Sequence, residues 1–307
     1  MNAPRSIDEY LRQLRAALEG QDPALIQDAL YDAEEYLRAE VAAHAGKSES
    51  DVLELIASTY GAPEEVAAAY RDTEAKVKAA LRTPAPRTAA STSAWRRFFG
   101  IYLDPRAYTS LFYMVLALAT GILYFTLVVT GLSLSAGFAI LIIGVPFFLA
   151  FIGIARVIAL GEGRLLEAMT GERMPRRPVH PGPKQSWWAR IGAMLTDLRT
   201  WTTLAYLLLM LPLGIAYFTL AVTIVAVSAG FVFSPFLVLG QSIGWVRFSS
   251  DEDIHFLGSF GAHHPLLAGL VLCAIGVVLL TAFLHFARVL VLGHARLAKA
   301  LLVVPGG

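Results

Sequence analysis

The chain contains GILYFTLVVTGLSLSAGF at residues 121–138 and nearly repeats it as GIAYFTLAVTIVAVSAGF at residues 214–231, an offset of 93 residues. The match continues upstream of both copies. Equivalent positions there include Trp95 and Trp188, Arg97 and Arg190, Asp104 and Asp197, and Tyr113 and Tyr206. A duplication of this kind predicts two copies of one structural unit.

Downstream, the match resumes at an offset of 132 residues. RVIALGEGRLLEA begins at Arg156, and RVLVLGHARLAKA begins at Arg288. Each copy therefore has an aromatic lead-in, two long apolar segments and a short amphipathic exit. Apolar segments of about 20 residues can cross a bilayer as helices, so the pattern predicts two membrane hairpins.

Composition separates the chain into an acidic and a basic part. Hydrophobic residues make up 56% of the chain and charged residues 16%, which is typical of a membrane protein. Residues 1–75 hold 16 acidic and 6 basic residues, whereas residues 76–307 hold 8 acidic and 19 basic ones. Cys273 is the one cysteine, so an intramolecular disulfide is excluded. The N-terminus has no apolar core of a secretory signal, and we expect the head to stay in the cytoplasm.

The first 82 residues predict a small helical bundle, which we call the head. Ser6 and Asp22-Pro23 are helix-start signals, and Ser48 with Asp51 forms a capping-box pattern. We expect helices from Ser6 to Gly20, Asp22 to Gly46, Ser48 to Gly61 and onward from Ala62. Its acidic residues are expected to face outward, as a solvated surface or as a binding face for a basic partner: Asp28, Asp32, Glu34, Glu35, Glu40, Glu64 and Glu65.

The head resembles the bacterial HAAS signalling domain. The resemblance rests on YLRQLRAAL, DALYDAEEYLRAEV and ELIASTYGAPEEVAAAY, and above all on the GAPEEVA motif that begins at Gly61. It implies a cytoplasmic helical module on a multi-pass membrane protein, without catalysis and often near PadR-type regulators. The residues predicted to bind a partner are Asp32, Glu34, Glu35, Gly61, Pro63, Glu64 and Glu65.

A flexible linker at residues 83–94 precedes the first membrane repeat at residues 95–170. A cytoplasmic loop at residues 171–186 leads to the second repeat, residues 187–307, with an extracytoplasmic loop at 240–265. We expect the first hairpin to turn near Ser133 to Gly137. The short apolar segment 231–239 could extend the third span or re-enter the membrane, and an interfacial segment is favoured. The predicted membrane-interface anchors are Trp95, Arg96, Arg97, Trp187, Trp188 and Arg190.

Lys and Arg are concentrated before the first span, between the second and third, and after the fourth. The positive-inside rule therefore predicts a bacterial inner-membrane protein with both termini in the cytoplasm. The four-span part resembles the sensor domain found ahead of actinobacterial histidine kinases. That likeness rests on LAYLLLMLPLGIAYFTLAVT from Leu204, its copy from Leu111, and RVLVLGHARLAKALL from Arg288. No kinase motif follows Leu302 in the sequence.

Candidate chemistry is sparse. Carboxylates and imidazoles in the outer loop, with His255, His263 and His264, could bind a divalent ion or respond to protons, although a solvated loop is the simpler interpretation. His285 could titrate near neutral pH or bond a neighbouring carbonyl. Arg156 and Arg288 are expected to anchor helix ends at the headgroups. The sequence predicts no catalytic residue, metal site or cofactor.

The fold class predicted is all-α, with a cytoplasmic helical bundle and a four-helix membrane domain of two repeated hairpins with interfacial helices. The predicted function is a non-catalytic sensor or regulator that passes an envelope or membrane signal to a cytoplasmic partner through the head. The alternative is an accessory subunit of a transporter or envelope complex. A cytoplasmic regulatory protein or a membrane subunit is the expected partner, without direct nucleic-acid binding, and a homodimer is compatible with the repeats.

The charge split also suggests a contact within the chain. We expect the acidic head to dock on the basic segment Arg173 to Arg199 and to be released when the membrane part rearranges.

Overall fold

The computed structural model describes residues 4–81, 94–138, 144–175, 192, 196–245 and 263–303. Within these residues the regular structure is helical, and no strand occurs. The predicted all-α fold is confirmed. The described residues fall into two compact units, one within 1–89, 129–206 and 295–307, the other within 90–128 and 207–294.

The head consists of four helices, α1 (Ile7–Ala17), α2 (Pro23–Ala43), α3 (Glu49–Thr59) and α4 (Pro63–Leu81). The predicted start signals act as expected. The Oγ of Ser6 accepts from the Glu9 N–H at 3.2 Å, and the Oγ of Ser48 accepts from the Asp51 N–H at 3.2 Å. Asp22 caps α2 through the Ala24 N–H. Capping of this kind supplies acceptors for backbone groups that have no partner within the helix.

The head core is built from the apolar stripes of all four helices. Its fully buried side chains include Tyr10, Leu14, Leu37 and Leu53. The hydroxyl of Tyr10 donates to the carbonyl oxygen of Gly61 at 2.8 Å, and burial raises the pKa of Tyr10. The hydrogen bond from the protonated phenol keeps α1 against the turn before α4.

The membrane part begins with a short helix, α5 (Ala94–Phe99), followed by a 3₁₀ turn (Gly100–Leu103). Ala94, which was predicted to belong to the linker, is thus the first residue of α5. Four helices follow that are long and apolar enough to cross a membrane, among the residues described. They are α6 (Pro105–Gly137), α7 (Gly144–Thr170), α8 (Leu198–Ser242) and α9 (Pro265–Leu302).

The hairpin turn predicted at Ser133 to Gly137 is wrong, because these residues are the last turn of α6. Serine in a long helix can bond back to the preceding turn instead of ending the helix. Ser135 does so, donating to the carbonyl oxygen of Gly131 at 2.6 Å.

The interfacial interpretation of residues 231–239 is also wrong. They continue α8 as far as Ser242 despite Pro235, and the helix reaches 45 residues. Small residues of α9 let this extension pack closely. The Oγ of Ser234 donates to the carbonyl oxygen of Gly269 at 2.9 Å, and a Cβ on Gly269 would lie 3.2 Å from the Cα of Pro235. A second helix beside the proline thus supplies contacts that an isolated segment would lack.

Equivalent glycines of the two repeats lie at one close helix crossing. A Cβ on Gly121 of α6 would lie 2.5 Å from the carbonyl oxygen of Met210 in α8, and a Cβ on Gly214 would lie closer still to that of Ala117. Met210 and Ala117 are themselves equivalent at the offset of 93. Small residues allow membrane helices to approach to backbone contact, which explains why both repeats have glycine here.

Candidate functional site

The head is held against the ends of membrane helices by three cationic side chains, a set of interactions that we call the head contact. The cations are Arg173, just after α7, Arg199 in the first turn of α8, and Lys299 in the last turn of α9. Their partners in the head lie on α2, at its N-cap and on α4. All of these residues belong to the same compact unit.

Arg173 inserts its guanidinium between α2 and α4. Its Nη2 donates to Oδ2 of Asp28 at 3.2 Å, and its Nη1 is paired with Oε2 of Glu74. The Arg173 side chain is 15% exposed, and each of the two carboxylates is 8% exposed. Asp28 is therefore covered by the arginine and does not lie on a solvated surface, which was one of the two expectations for it.

Lys299 forms the second ion-pair group. Its Nζ donates to Oδ2 of Asp22 at 2.7 Å and to Oε1 of Glu172 at 3.0 Å. Asp22 is the N-cap of α2, and its other carboxylate oxygen accepts from the Ala24 N–H. Lys299 thus attaches the last turn of α9 to the N-terminus of α2.

Arg199 completes the head contact. Its Nη2 donates to Oε1 of Gln27 at 3.0 Å and to the carbonyl oxygen of Leu302 at 3.0 Å. The start of α8 and the end of α9 are thereby joined to each other and to α2. The predicted docking of the head on the segment from Arg173 to Arg199 is present at both ends of that segment; residues 176–191 and 193–195 between them lie outside the described residues.

Removing one member of such a buried group costs more than the group contributes as a whole. A buried charge that loses its partner keeps its desolvation penalty, so removing one partner of a buried pair costs about 3–5 kcal/mol. The two carboxylates facing Arg173 make this cation the most sensitive element of the head contact.

The repeats also form two equivalent corners, each with an Asp–Arg pair that joins one repeat to the other. In the first corner Arg156 donates to Oδ2 of Asp197 at 3.2 Å and to Oγ1 of Thr200 at 2.9 Å. In the second corner Arg288 donates to Oδ2 of Asp104 at 2.6 Å. In the structure the arginines bind these aspartates and stay partly exposed, and their contact with the headgroups stays a prediction.

Each aspartate has a second role at the start of a membrane helix. Asp104 accepts from the Arg106 N–H at 3.0 Å, and Asp197 accepts from the Arg199 N–H at 3.0 Å. A carboxylate at a helix N-terminus satisfies a backbone donor and interacts favourably with the helix dipole. Each aspartate therefore caps the N-terminus of a membrane helix in its own repeat. It also binds the arginine of its Asp–Arg pair, which lies in the other repeat.

The residues predicted to bind a partner are spread over the head, and they differ in exposure and in hydrogen bonding. Asp32 accepts from the Tyr70 hydroxyl at 3.1 Å, and Glu34 accepts from Arg38 at 2.7 Å. Glu35 is exposed and Glu64 is half-buried. Beside Asp32, the pKa of Tyr70 is raised, first by burial and then by the carboxylate.

The GAPEEVA motif forms the junction between α3 and α4. Gly61 has a φ of +106°, a conformation that favours glycine, and Pro63 is buried at the start of α4. The Glu65 carboxylate accepts from the Ala62 N–H at 3.2 Å. The most specific part of the motif thus has a structural role, and its role in partner binding stays a prediction.

The predicted sensing and anchoring residues are only partly described. His263 and His264 are exposed at the start of α9, and Nε2 of His285 lies 3.0 Å from the carbonyl oxygen of Phe98. Trp95 is exposed and stacks on Phe99, and Arg96 and Arg97 are exposed. His255, Trp187, Trp188 and Arg190 lie outside the described residues. No group of metal-ligating side chains occurs in the part of the chain that the structure describes.

Sequence reasoning missed two buried ionisable residues in the described membrane helices. Glu162 of α7 is 1% exposed, and His294 of α9 is 2% exposed. Nδ1 of His294 lies 3.2 Å from the Tyr217 hydroxyl, and its ring contacts that of Tyr113. The two residues are equivalent at the offset of 132, so the repeat alignment held the signal that could have found them.

Four apolar helices in two repeated pairs, with a charged helical head attached to helix ends, define a class of multi-pass helical membrane protein. A family model described as "Putative sensor" matches residues 113–302, which is more than half of the chain. The chain belongs to this sensor family. No curated protein and no solved structure matches it.

Proposed function

We propose that this protein is a non-catalytic sensor of the bacterial inner membrane whose acidic head passes a signal to a cytoplasmic regulatory protein. The sensor role follows from the family. The transmission through the head, the cytoplasmic position of both termini and the partner are our proposals, and the concentration of Lys and Arg in the predicted inner segments supports the orientation.

The head contact is the observation that carries the proposal. Arg173, Arg199 and Lys299 are attached to the ends of three different membrane helices, and all three bind the head. Packed helices move as rigid elements, so a shift or rotation in the membrane would displace these cations from their acidic partners. A change sensed by the membrane helices would then alter how firmly the head is held.

Affinity capture from gently solubilised membranes tests the proposal, with bound proteins identified by mass. The full chain, the chain lacking residues 1–82 and the full chain with Arg173→Glu are compared. We expect a soluble regulator with the full chain, more of it with Arg173→Glu because the head is released, and none without the head. Arg296→Glu, a charge reversal at an exposed position of α9, is the matched control.

The alternative function predicts a different result. If the protein is an accessory subunit of a membrane complex, the same membrane proteins will be captured with and without residues 1–82, and Arg173→Glu will change nothing. That outcome would contradict the proposal.

A further inference from the structure

We infer that the cleft between Asp28 and Glu74 is the partner-binding site of the head, that it recognises an arginine side chain of the cytoplasmic partner, and that Arg173 occupies it as an internal competitor. The inference rests on the proposed function and gives it a site and a partner chemistry.

The geometry of the cleft selects a guanidinium. Carboxylates on two different helices, Asp28 on α2 and Glu74 on α4, contact the two terminal nitrogens of one side chain. Arginine presents its donors in a planar fork that can bind two acceptors at once, whereas lysine is a point charge on a flexible stem. Two carboxylates that are each 8% exposed also favour a cation that is weakly hydrated, as a guanidinium is.

The burial of the two acids explains why the cleft should not stay empty after release. When Arg173 withdraws, two carboxylates remain close together in a partly desolvated position without the guanidinium that both contact. Each carboxylate then loses one charge-assisted contact in a desolvated position, which is unfavourable. An arginine on a partner would restore that contact, so release of the head and binding of the partner are coupled.

Arg173 is held in a way that allows exchange. Its Nε is buried and has no hydrogen-bond acceptor among the described residues, so the fork is only partly satisfied. A partner that also provides an acceptor for the Nε of its own arginine would lack that deficit. The internal arginine nevertheless competes strongly, because a tethered group has a high effective concentration.

The cleft also extends towards Asp32, one of the residues of the head that were predicted to bind a partner. One turn further along the two helices, Asp32 of α2 accepts a hydrogen bond from Tyr70 of α4. Asp28 and Asp32, like Tyr70 and Glu74, are four residues apart and therefore lie on the same face of their helix. The site would thus consist of an acidic pair with a tyrosine–aspartate pair beside it.

The test uses the full chain in detergent micelles and a labelled peptide of its own residues 169–175, MTGERMP. The released variant is Arg173→Ala/Lys299→Ala, which removes two cations of the head contact and keeps the acids. We expect this variant to bind the peptide about tenfold more tightly than the unchanged chain, because the internal competitor is gone. A peptide with lysine or alanine in place of Arg173 should bind more weakly.

Adding Asp28→Asn/Glu74→Gln to the released variant should abolish peptide binding. Glu54→Gln/Asp72→Asn is the matched control, since it removes two exposed carboxylates of the head, one on α3 and one on α4, that lie outside the predicted partner-binding set. Unchanged affinity in the first variant, or an equal loss in the control, would overturn the inference. Arg173→Lys/Lys299→Ala keeps a cation in the cleft and so provides a second test if the double alanine variant fails to fold. We expect it to bind the peptide with intermediate affinity. Peptide binding equal to that of the unchanged chain would contradict competition by Arg173.

The capture experiment separates failure of this inference from failure of the proposed function. If Asp28→Asn/Glu74→Gln still captures the regulator while the chain without residues 1–82 does not, the head is the output module but the cleft is not its site. If removal of the head makes no difference, the proposed function itself fails.

Discussion

The two corners of the membrane part occupy equivalent positions in the sequence but have different surroundings. The first corner, with Arg156 and Asp197, includes Thr200 as a second acceptor, and the neighbouring Arg199 binds the head and the end of α9. In the second corner the equivalent residues are Ala107, which has no hydroxyl, and Arg106, which is exposed. The matching positions thus form a common frame, and the head is attached where the sequences of the two copies differ.

The divergence extends to the ends of the helices. Lys299, which binds Asp22, is equivalent to Glu167 at the offset of 132, so the charge is opposite in the two repeats. A lysine and a glutamate at one repeat position cannot serve the same partner. The residues that the repeats share thus fix helix starts and the α6–α8 crossing, and residues that distinguish them bind the head.

Among the variants proposed here, Arg173→Ala should have the largest effect, which is to weaken the attachment of the head. It leaves Asp28 and Glu74 without the guanidinium between them, and we expect a loss of about 3–5 kcal/mol in the attachment of the head. Faster hydrogen exchange in α2 and α4 would report it.

The triple variant Arg173→Met/Asp28→Asn/Glu74→Gln should recover much of that loss, because it removes the charges together. Arg296→Ala on α9 provides the control. Equal exchange rates in Arg173→Ala and Arg296→Ala would show that the head contact has no energetic role.

Gly121→Ala and Gly214→Ala test the shared frame. Both would force a Cβ against a backbone carbonyl at the α6–α8 crossing, and overpacking of this kind costs about 1–3 kcal/mol. We expect similar losses of thermal stability in detergent for the two variants. Gly230→Ala, with no atom within 4 Å of the added Cβ, should show no loss. A large difference between Gly121→Ala and Gly214→Ala would contradict the equivalence of the repeats.

Much of this frame could be predicted from the sequence, because it depends on local and repeated patterns. Ser6, Asp22 and Ser48 act as caps where they were predicted, and four long apolar helices are present. The extent of α8 could not be predicted, because the Gly269 contact that accommodates Pro235 comes from a helix 30 residues further along the chain. Long-range ion pairs could not be predicted for the same reason, because nothing in the local sequence distinguishes Arg173 from its neighbours Arg176 and Arg177.

Arg199→Ala and Arg106→Ala compare equivalent positions directly. Arg199 donates to Gln27 and to Leu302, and hydrogen bonds from charged groups contribute more than neutral ones. Because the site is partly solvated, we expect Arg199→Ala to cost about 1 kcal/mol in chemical unfolding and Arg106→Ala close to zero. Equal costs would mean that the two corners do not differ in function.

Arg156→Ala and Arg288→Ala should have the smallest effects. Both arginines and their aspartates are partly exposed, and such ion pairs contribute at most about 1 kcal/mol. Double-mutant cycles with Asp197→Ala and Asp104→Ala would measure each coupling energy. A coupling well above that level in either corner would show that the pair has a role beyond fixing helix ends.

The distance between the head and α7 tests the central claim most directly. Spin labels on Glu35→Cys and Ala168→Cys, both exposed positions, in a chain with Cys273→Ala would report it in lipid nanodiscs by pulsed electron resonance. We predict one narrow distance distribution for this chain and a broad one when Arg173→Glu is added, while Arg296→Glu leaves the distribution narrow. An unchanged distribution with Arg173→Glu would contradict the claim that this arginine holds the head.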